Sequence, residues 1–248
     1  MATKTAKTAK TAKAAKTAKP AQAAKPAQAA KPAQTAKPAQ TAKPAMTAKA
    51  AKKRQATVSR ETGETKVKVE LALDGRGKCQ AKTGIGMLDH LIEQIARHGL
   101  FDITVEATGD LKVGHHHILE DVAICLGQAL DQALGDRRGI VRMGHAVVPM
   151  DEALSLVAID ISGRPYAVVE AVLEGKDISG LDTDLIRHFL QTFATEAKIN
   201  LHARLLSKGN DHHRVEALFK ALGRSLDVAT RIDERVGSDV PSTKGTMK

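Results

Sequence analysis

Two short runs place histidine and glutamate at the same spacing, His116-His117-x-x-Glu120 and His212-His213-x-x-Glu216. Residues four apart share one face of an α-helix, so His116 with Glu120, and His212 with Glu216, can each grip a single metal ion. The other histidine of each pair, His117 or His213, points roughly 100° away around the helix and must serve a different ion. Each run also has a lone histidine upstream: His90 lies 26 residues before His116, and His188 lies 24 before His212. If the two halves pack about a pseudo-twofold axis, the simplest allocation gives one ion His90, His117, His212 and Glu216. The other ion takes His116, Glu120, His188 and His213. Three imidazoles and one carboxylate leave two octahedral positions open for substrate, as a catalytic ion requires. One such run alone would be ordinary helix surface; two at matched spacing are hard to obtain that way. His115 is a bystander, because only His116 has Glu120 at i+4. Imidazole and carboxylate without thiolate suit Mn, Fe, Co, Ni or Zn and do not choose among them.

The elements that must hold these groups are legible around them. Ile118, Leu119, Val122, Leu126, Ala129, Leu130 and Ala133 fall at helical spacing, and Gly135 stands where a C-terminal cap belongs. A second helix runs from His213 through Leu226, a third over Leu185 to Leu201, and the earliest over Met87 to His98 before Gly99. Thr65 to Leu73 alternates, with Val67, Val69, Leu71 and Leu73 on one face, and Asp74-Gly75 supplies the turn. Ile103 to Ala107, Ser155 to Asp160 and Tyr166 to Leu173 read as further strands. Strands followed by helices, twice over, predict an α/β fold built as α+β layers. It is internally duplicated, each half a mixed β-sheet with helices packed on one face. The first half is expected over 57–150 and the second over 151–248.

Residues 1–56 are of another kind, almost wholly Ala, Lys, Thr, Pro and Gln, in Thr-Ala-Lys and then Lys-Pro-Ala-Gln repeats. With nothing to bury, they are expected to form a disordered basic tail. They hold 14 of the 38 Lys and Arg and none of the 28 Asp and Glu, leaving 24 basic against 28 acidic residues beyond, a net charge of −4. The body is therefore mildly acidic, which argues against a nucleic-acid-binding fold. A weak polyanion contact through the tail is the exception, and would show as salt-dependent binding lost on truncation. The body lacks Trp and has one Tyr, Tyr166, so its core is expected to be aliphatic. Cys79 and Cys125 show no CxxC spacing, and no apolar run reaches the roughly 20 residues of a membrane span. No signal peptide is visible, and a cytoplasmic location is expected.

Several segments carry a family resemblance: GIGMLDH at Gly84 to His90, HHILED at His116 to Asp121, GDRRGIVR at Gly135 to Arg142, PMDEAL at Pro149 to Leu154, SGRP at Ser162 to Pro165, GNDHHRVEALFKA at Gly209 to Ala221 and PSTKG at Pro241 to Gly245. Together they resemble imidazoleglycerol-phosphate dehydratase, a family of histidine biosynthesis, over essentially all of the chain after the tail. Met87 and Gly114 depart from the pattern, where the family has Phe and Asp. Neither change removes a ligand, though the second loses a carboxylate able to orient an imidazole.

The resemblance implies dehydration of imidazoleglycerol phosphate to imidazoleacetol phosphate, with two Mn²⁺ per active site. It also implies a homo-oligomer of 24 subunits whose metal sites lie between neighbours, and no membrane partner. Glu64, His98, Arg142, Arg164, Lys220, Ser242 and Lys244 fall on its substrate-contact positions, and His90 counts as both ligand and contact. The implied chemistry holds the substrate imidazolate between the two ions while the side-chain hydroxyl leaves. Glu64 is the favoured proton shuttle, with His98 and Asp151 as further catalytic candidates. Arg164, Lys220, Ser242 and Lys244 would cradle the phosphate. A metallohydrolase with a bridging hydroxide, and a non-catalytic metal-storage protein, are the rival readings of the same residues.

Overall fold

The computed structural model describes residues 53–247, so the expectations for the tail lie almost wholly outside the described residues. The first half opens with an antiparallel hairpin of β1 (Gln55–Glu61) and β2 (Thr65–Ala72). Alternation in β2 sends Val67, Val69 and Leu71 inward and Lys66, Lys68 and Glu70 outward. β3 (Cys79–Lys82), α1 (Gly86–Gly99), β4 (Asp102–Gly109) and α2 (His116–Leu134) follow. The sheet order is β1-β2-β4-β3, with β3 parallel to β4.

The second half repeats this plan with β5 (Met143–Met150), β6 (Ala153–Asp160), β7 (Tyr166–Glu170), α3 (Asp184–Glu196), β10 (Asn200–Leu205) and α4 (Asp211–Thr230). Its sheet order is β5-β6-β10-β7, with β7 parallel to β10. A small hairpin of β8 (Asp177–Ile178) and β9 (Leu181–Asp182) is inserted before α3. The expected pair of mixed sheets with helices on one face is thus the observed architecture.

Several boundaries differ from expectation. The helix expected over Leu185 to Leu201 ends at Glu196, the chain reverses through Lys198 at φ 54°, and Asn200–Leu205 becomes a central strand. Ala197 and Leu201, four apart, imitate a further helical turn, whereas the buried Ile199, Leu201 and Ala203 mark the true period of two. β5 pairs with β6, so the second sheet begins at Met143, eight residues ahead of the half boundary drawn at 151, and the first begins at Gln55. In β1 only Val58 is buried, too little alternation to announce a strand.

α2 packs on β1 and β2, α4 packs on β5 and β6, and each outer helix joins the opposite half: α1 lies against α4, and α3 against α2. One core runs through both halves. It is mostly aliphatic, but Phe101, Phe189, Phe193 and Phe219 are all inside it, while Tyr166 is exposed.

Two glycines permit the helix contacts. A Cβ on Gly127 of α2 would lie 2.8 Å from the Phe193 carbonyl oxygen of α3. One on Gly223 of α4 would lie 2.9 Å from the Ile95 carbonyl oxygen of α1. Each glycine stands 11 residues, about three turns, after the first histidine of its pair, on the same helix face. No helix among the described residues is long and apolar enough to cross a membrane.

Candidate metal centre and active site

The close approach of α1 to α4 sets His90 beside the second histidine pair. His90 Nε2 lies 3.0 Å from Glu216 Oε2, and His212 Nε2 lies 3.3 Å from the same oxygen. The approach of α3 to α2 does the same for the first pair, with His188 Nε2 3.3 Å from Glu120 Oε1 and the His116 and His188 rings 4.7 Å apart. Within each triad the ligand atoms lie within 4.8 Å of one another. Ligands from the two halves meet in both, as the crossed allocation requires.

These triads fit divalent ions. His188 Nε2 is buried without a hydrogen-bond partner although Glu120 Oε1 lies 3.3 Å away, a polar atom that a bound ion would satisfy. Glu216 gathers two imidazole nitrogens on one oxygen while Lys220 Nζ, 2.7 Å away, holds the other. Burial pushes the Glu216 carboxyl up, but the hydrogen bonds and charges of Lys220 and His90 outweigh it and hold the carboxyl at about 2.

A single chain does not bring in the fourth ligand of either set. His117 turns away to place Nδ1 3.3 Å from Glu64 Oε2, and His213 places Nδ1 3.1 Å from Glu152 Oε2. Asp151, at φ 47° in the β5–β6 turn, stays 3.8 Å from His213 and largely exposed. Glu64 occupies the matching β1–β2 turn, its side chain 62% exposed.

Local sequence explains these placements. Asp89 accepts hydrogen bonds from Thr83 N at 2.9 Å and Thr83 Oγ1 at 2.7 Å, which fixes the loop entering α1 one residue before His90. Asn210 caps α4 by accepting from His212 N at 2.8 Å. Asp211 accepts from Gly175 N at 2.7 Å and from Arg214 at 2.7 Å. Asp121, beside the first pair, is buried and accepts from Arg60 at 2.6 Å and from Thr65.

The remaining expected contacts are scattered. Burial lowers the His98 imidazole below its usual value, and the nearby charges of Lys220 and Arg224 add to the effect. Lys220 is tied to Glu216 and so contacts the triad itself. The Arg142 guanidinium is engaged by Asp160 at 2.6 and 2.9 Å and donates to the Pro241 carbonyl at 2.8 Å, which fastens the Pro241–Gly245 segment. Arg164 and Lys244 are exposed, and Ser242 Oγ accepts from Lys244 N at 3.2 Å. A hollow of about 500 Å³ on the outer face of the first sheet, lined by Lys66, Lys68 and Glu106, contains none of these residues.

Sequence reasoning missed Glu152, Asp121 and the packing glycines. Glu152 was within reach of inspection, since it precedes β6 as Glu64 precedes β2. Gly127 and Gly223 also had a signal, their equal distance from each histidine pair.

Fold and site together define a two-sheet α/β protein with twin histidine–carboxylate centres joining its halves. The family model described as imidazoleglycerol-phosphate dehydratase matches residues 83–226. The chain belongs to that family, and it is a hydro-lyase. It is 58% identical over 191 residues to imidazoleglycerol-phosphate dehydratase of Roseiflexus sp. (strain RS-1), covering 77% of this chain and 96% of the relative. With the enzyme of Methanothermobacter thermautotrophicus it shares 51% over 189 residues, covering 76% and 95%. The crystal structure of the Staphylococcus aureus enzyme superposes with a TM-score of 0.66 at 32% identity, over 72% of this chain and 99% of that one. IGPD of Pyrococcus furiosus gives 0.62 at 38%, over 76% and 99%.

Proposed function

We propose that this chain dehydrates imidazoleglycerol phosphate to imidazoleacetol phosphate and water, a step of histidine biosynthesis, with two Mn²⁺ per active site. The observation that carries the reading is the pair of cross-half triads, His90–His212–Glu216 and His116–Glu120–His188. His117 would complete the first ligand set and His213 the second, each supplied by a neighbouring copy, since neither reaches a triad within its own chain. When bound, the two ions supply positive charge that stabilises the substrate imidazole as the hydroxyl departs.

This chain's own side chains do the rest. Lys220 keeps Glu216 ionised and aimed at the first set. Glu64, on an exposed turn beside His117, carries the proton, and His98 is a further contact for the substrate. Arg164, Ser242 and Lys244 take the phosphate, with Arg142 holding the loop of Ser242 and Lys244 in place.

A multi-subunit assembly, 24 copies on the family's pattern, is supported by the outer face of the second sheet. There Val147 and Tyr166 are 50% and 64% exposed, and Val147 pairs with Leu156. The first sheet instead shows Lys66, Lys68, Glu70 and Glu106 to solvent. Purified full-length protein is expected to consume imidazoleglycerol phosphate, to stop on chelation and to resume with Mn²⁺. Failure to resume, or hydrolysis of the phosphoester in its place, would sink the reading.

A further inference from the structure

The two paired histidines that stand outside the triads, His117 and His213, are each met by a carboxylate from an equivalent place. Glu64 immediately precedes β2 and Glu152 immediately precedes β6, in the first hairpin turn of each half. Each faces Nδ1 of the second histidine of a pair, Glu64 on His117 and Glu152 on His213. The two carboxylates are held very differently. Both side chains are exposed, Glu64 at 62% and Glu152 at 46%, and the Glu64 oxygen stands 3.3 Å from its ring. Glu152 is fixed at both oxygens: Oε1 accepts the Asn210 N–H at 2.7 Å, and Oε2 lies 3.1 Å from His213 Nδ1. Gly209 leaves room for it, since a Cβ there would lie 2.5 Å from Glu152 Cγ.

We infer that Glu152 is a positioning residue that holds His213 in the tautomer protonated on Nδ1, leaving Nε2 free to bind the second ion. A carboxylate only accepts hydrogen bonds, so in the neutral ring the contact fixes the proton on Nδ1. Nε2 is also the nitrogen that His90, His212 and His188 turn toward their glutamates, so His213 is prepared to bind through the same atom. Because Asn210 caps α4 and is itself held by Glu152, ring orientation and helix start are coupled. The inference rests on the proposed allocation of His213 to the ion of His116, Glu120 and His188.

Glu152→Gln tests it without dismantling the turn. The Asn210 N–H requires an acceptor, so the amide oxygen stays there and the amide NH₂ faces His213, which forces the proton onto Nε2. Mn²⁺ affinity is measured by titration calorimetry on the chelated full-length protein in two backgrounds: His90→Gln, which retains the second ion, and His188→Gln, which retains the first. Glu152→Gln is expected to weaken Mn²⁺ binding about 10–100-fold in the His90→Gln background and less than about twofold in the other. Equal affinity with and without Glu152→Gln in both backgrounds overturns the clamp while leaving the allocation intact, because each histidine variant still deletes one ion. A loss confined to the His188→Gln background overturns both the assignment of His213 and this inference. Equal losses in both, together with a lowered melting temperature, reduce Glu152 to a structural residue and overturn the inference as well.

Discussion

The two helices that carry the histidine pairs begin differently. α4 starts one residue ahead of its pair, on Asp211, with Asn210 as a side-chain cap and Asp211 bound to the 174–175 loop. α2 starts on His116, preceded by Gly114 at φ 142° and His115, with no side-chain cap. The glutamates follow suit: Glu216 is 10% exposed and bound by Lys220, whereas Glu120 is 39% exposed. The position two before the pair, Asn210 in α4, is Gly114 in α2, which has no side-chain oxygen to offer the helix start. One triad is therefore prepared in advance and the other is held more loosely. In the crossed allocation this is balanced, because the loose triad of His116, Glu120 and His188 receives the clamped His213. The tight one receives His117, whose partner Glu64 lacks the backbone hydrogen bond that fixes Glu152.

The sharpest way to break this comparison is to neutralise the two turn carboxylates separately. Glu64→Gln is expected to lower kcat about 10²–10⁴-fold while leaving Mn²⁺ affinity within a few-fold. Glu152→Gln should regain most of its turnover at saturating Mn²⁺. If Glu64→Gln acts through Mn²⁺ affinity instead, the two turns do the same job and the proposed division between shuttle and clamp is wrong.

Next in size is the contrast between the glutamates. Glu216→Gln strands Lys220 in a part-buried site and should destabilise the chelated protein toward the low end of ~3–5 kcal/mol. Glu120→Gln should cost less than ~1 kcal/mol, because its contacts are half exposed. The folded Glu216 carboxyl sits near 2, below the ordinary value of 4.5. Its contribution to stability is therefore present above about 4.5 and lost as pH falls through 2. Thermal melts across that window should show a flatter acid limb in Glu216→Gln than in the wild type. An unchanged limb would mean that Lys220 does not set the charge of Glu216.

How much of this was legible in sequence follows from the range of each contact. His212 with Glu216, and His116 with Glu120, are four apart in a helix, so the pairing is local and visible. His90 and His188 were found because the halves repeat, which turned two long-range contacts into one spacing to be matched. Glu152 reaches His213 across 61 residues, and nothing periodic connects them. The helix end at Glu196 was hidden because Ala197 and Leu201 keep helical spacing by coincidence while β10 supplies the burial. The allocation of His117 and His213 as fourth ligands has no counterpart in the fold of one chain, which turns both rings away from the triads.

The smallest predicted effect isolates the helix starts themselves. Asn210→Ala removes the oxygen that accepts the His212 N–H and should destabilise the protein by about 1 kcal/mol. His115→Ala, at the corresponding start of α2, removes no capping hydrogen bond and should leave stability within ~0.5 kcal/mol of the wild type. The two are compared by denaturant titration of the chelated protein, where no ion can compensate. Repeating the titration with saturating Mn²⁺ sharpens the point, since binding to the folded state adds stability without rebuilding a cap. The Asn210→Ala difference should persist there if the cap is a property of the fold. Should it vanish, the metal rather than Asn210 organises the start of α4, and the two helices are less different than they look.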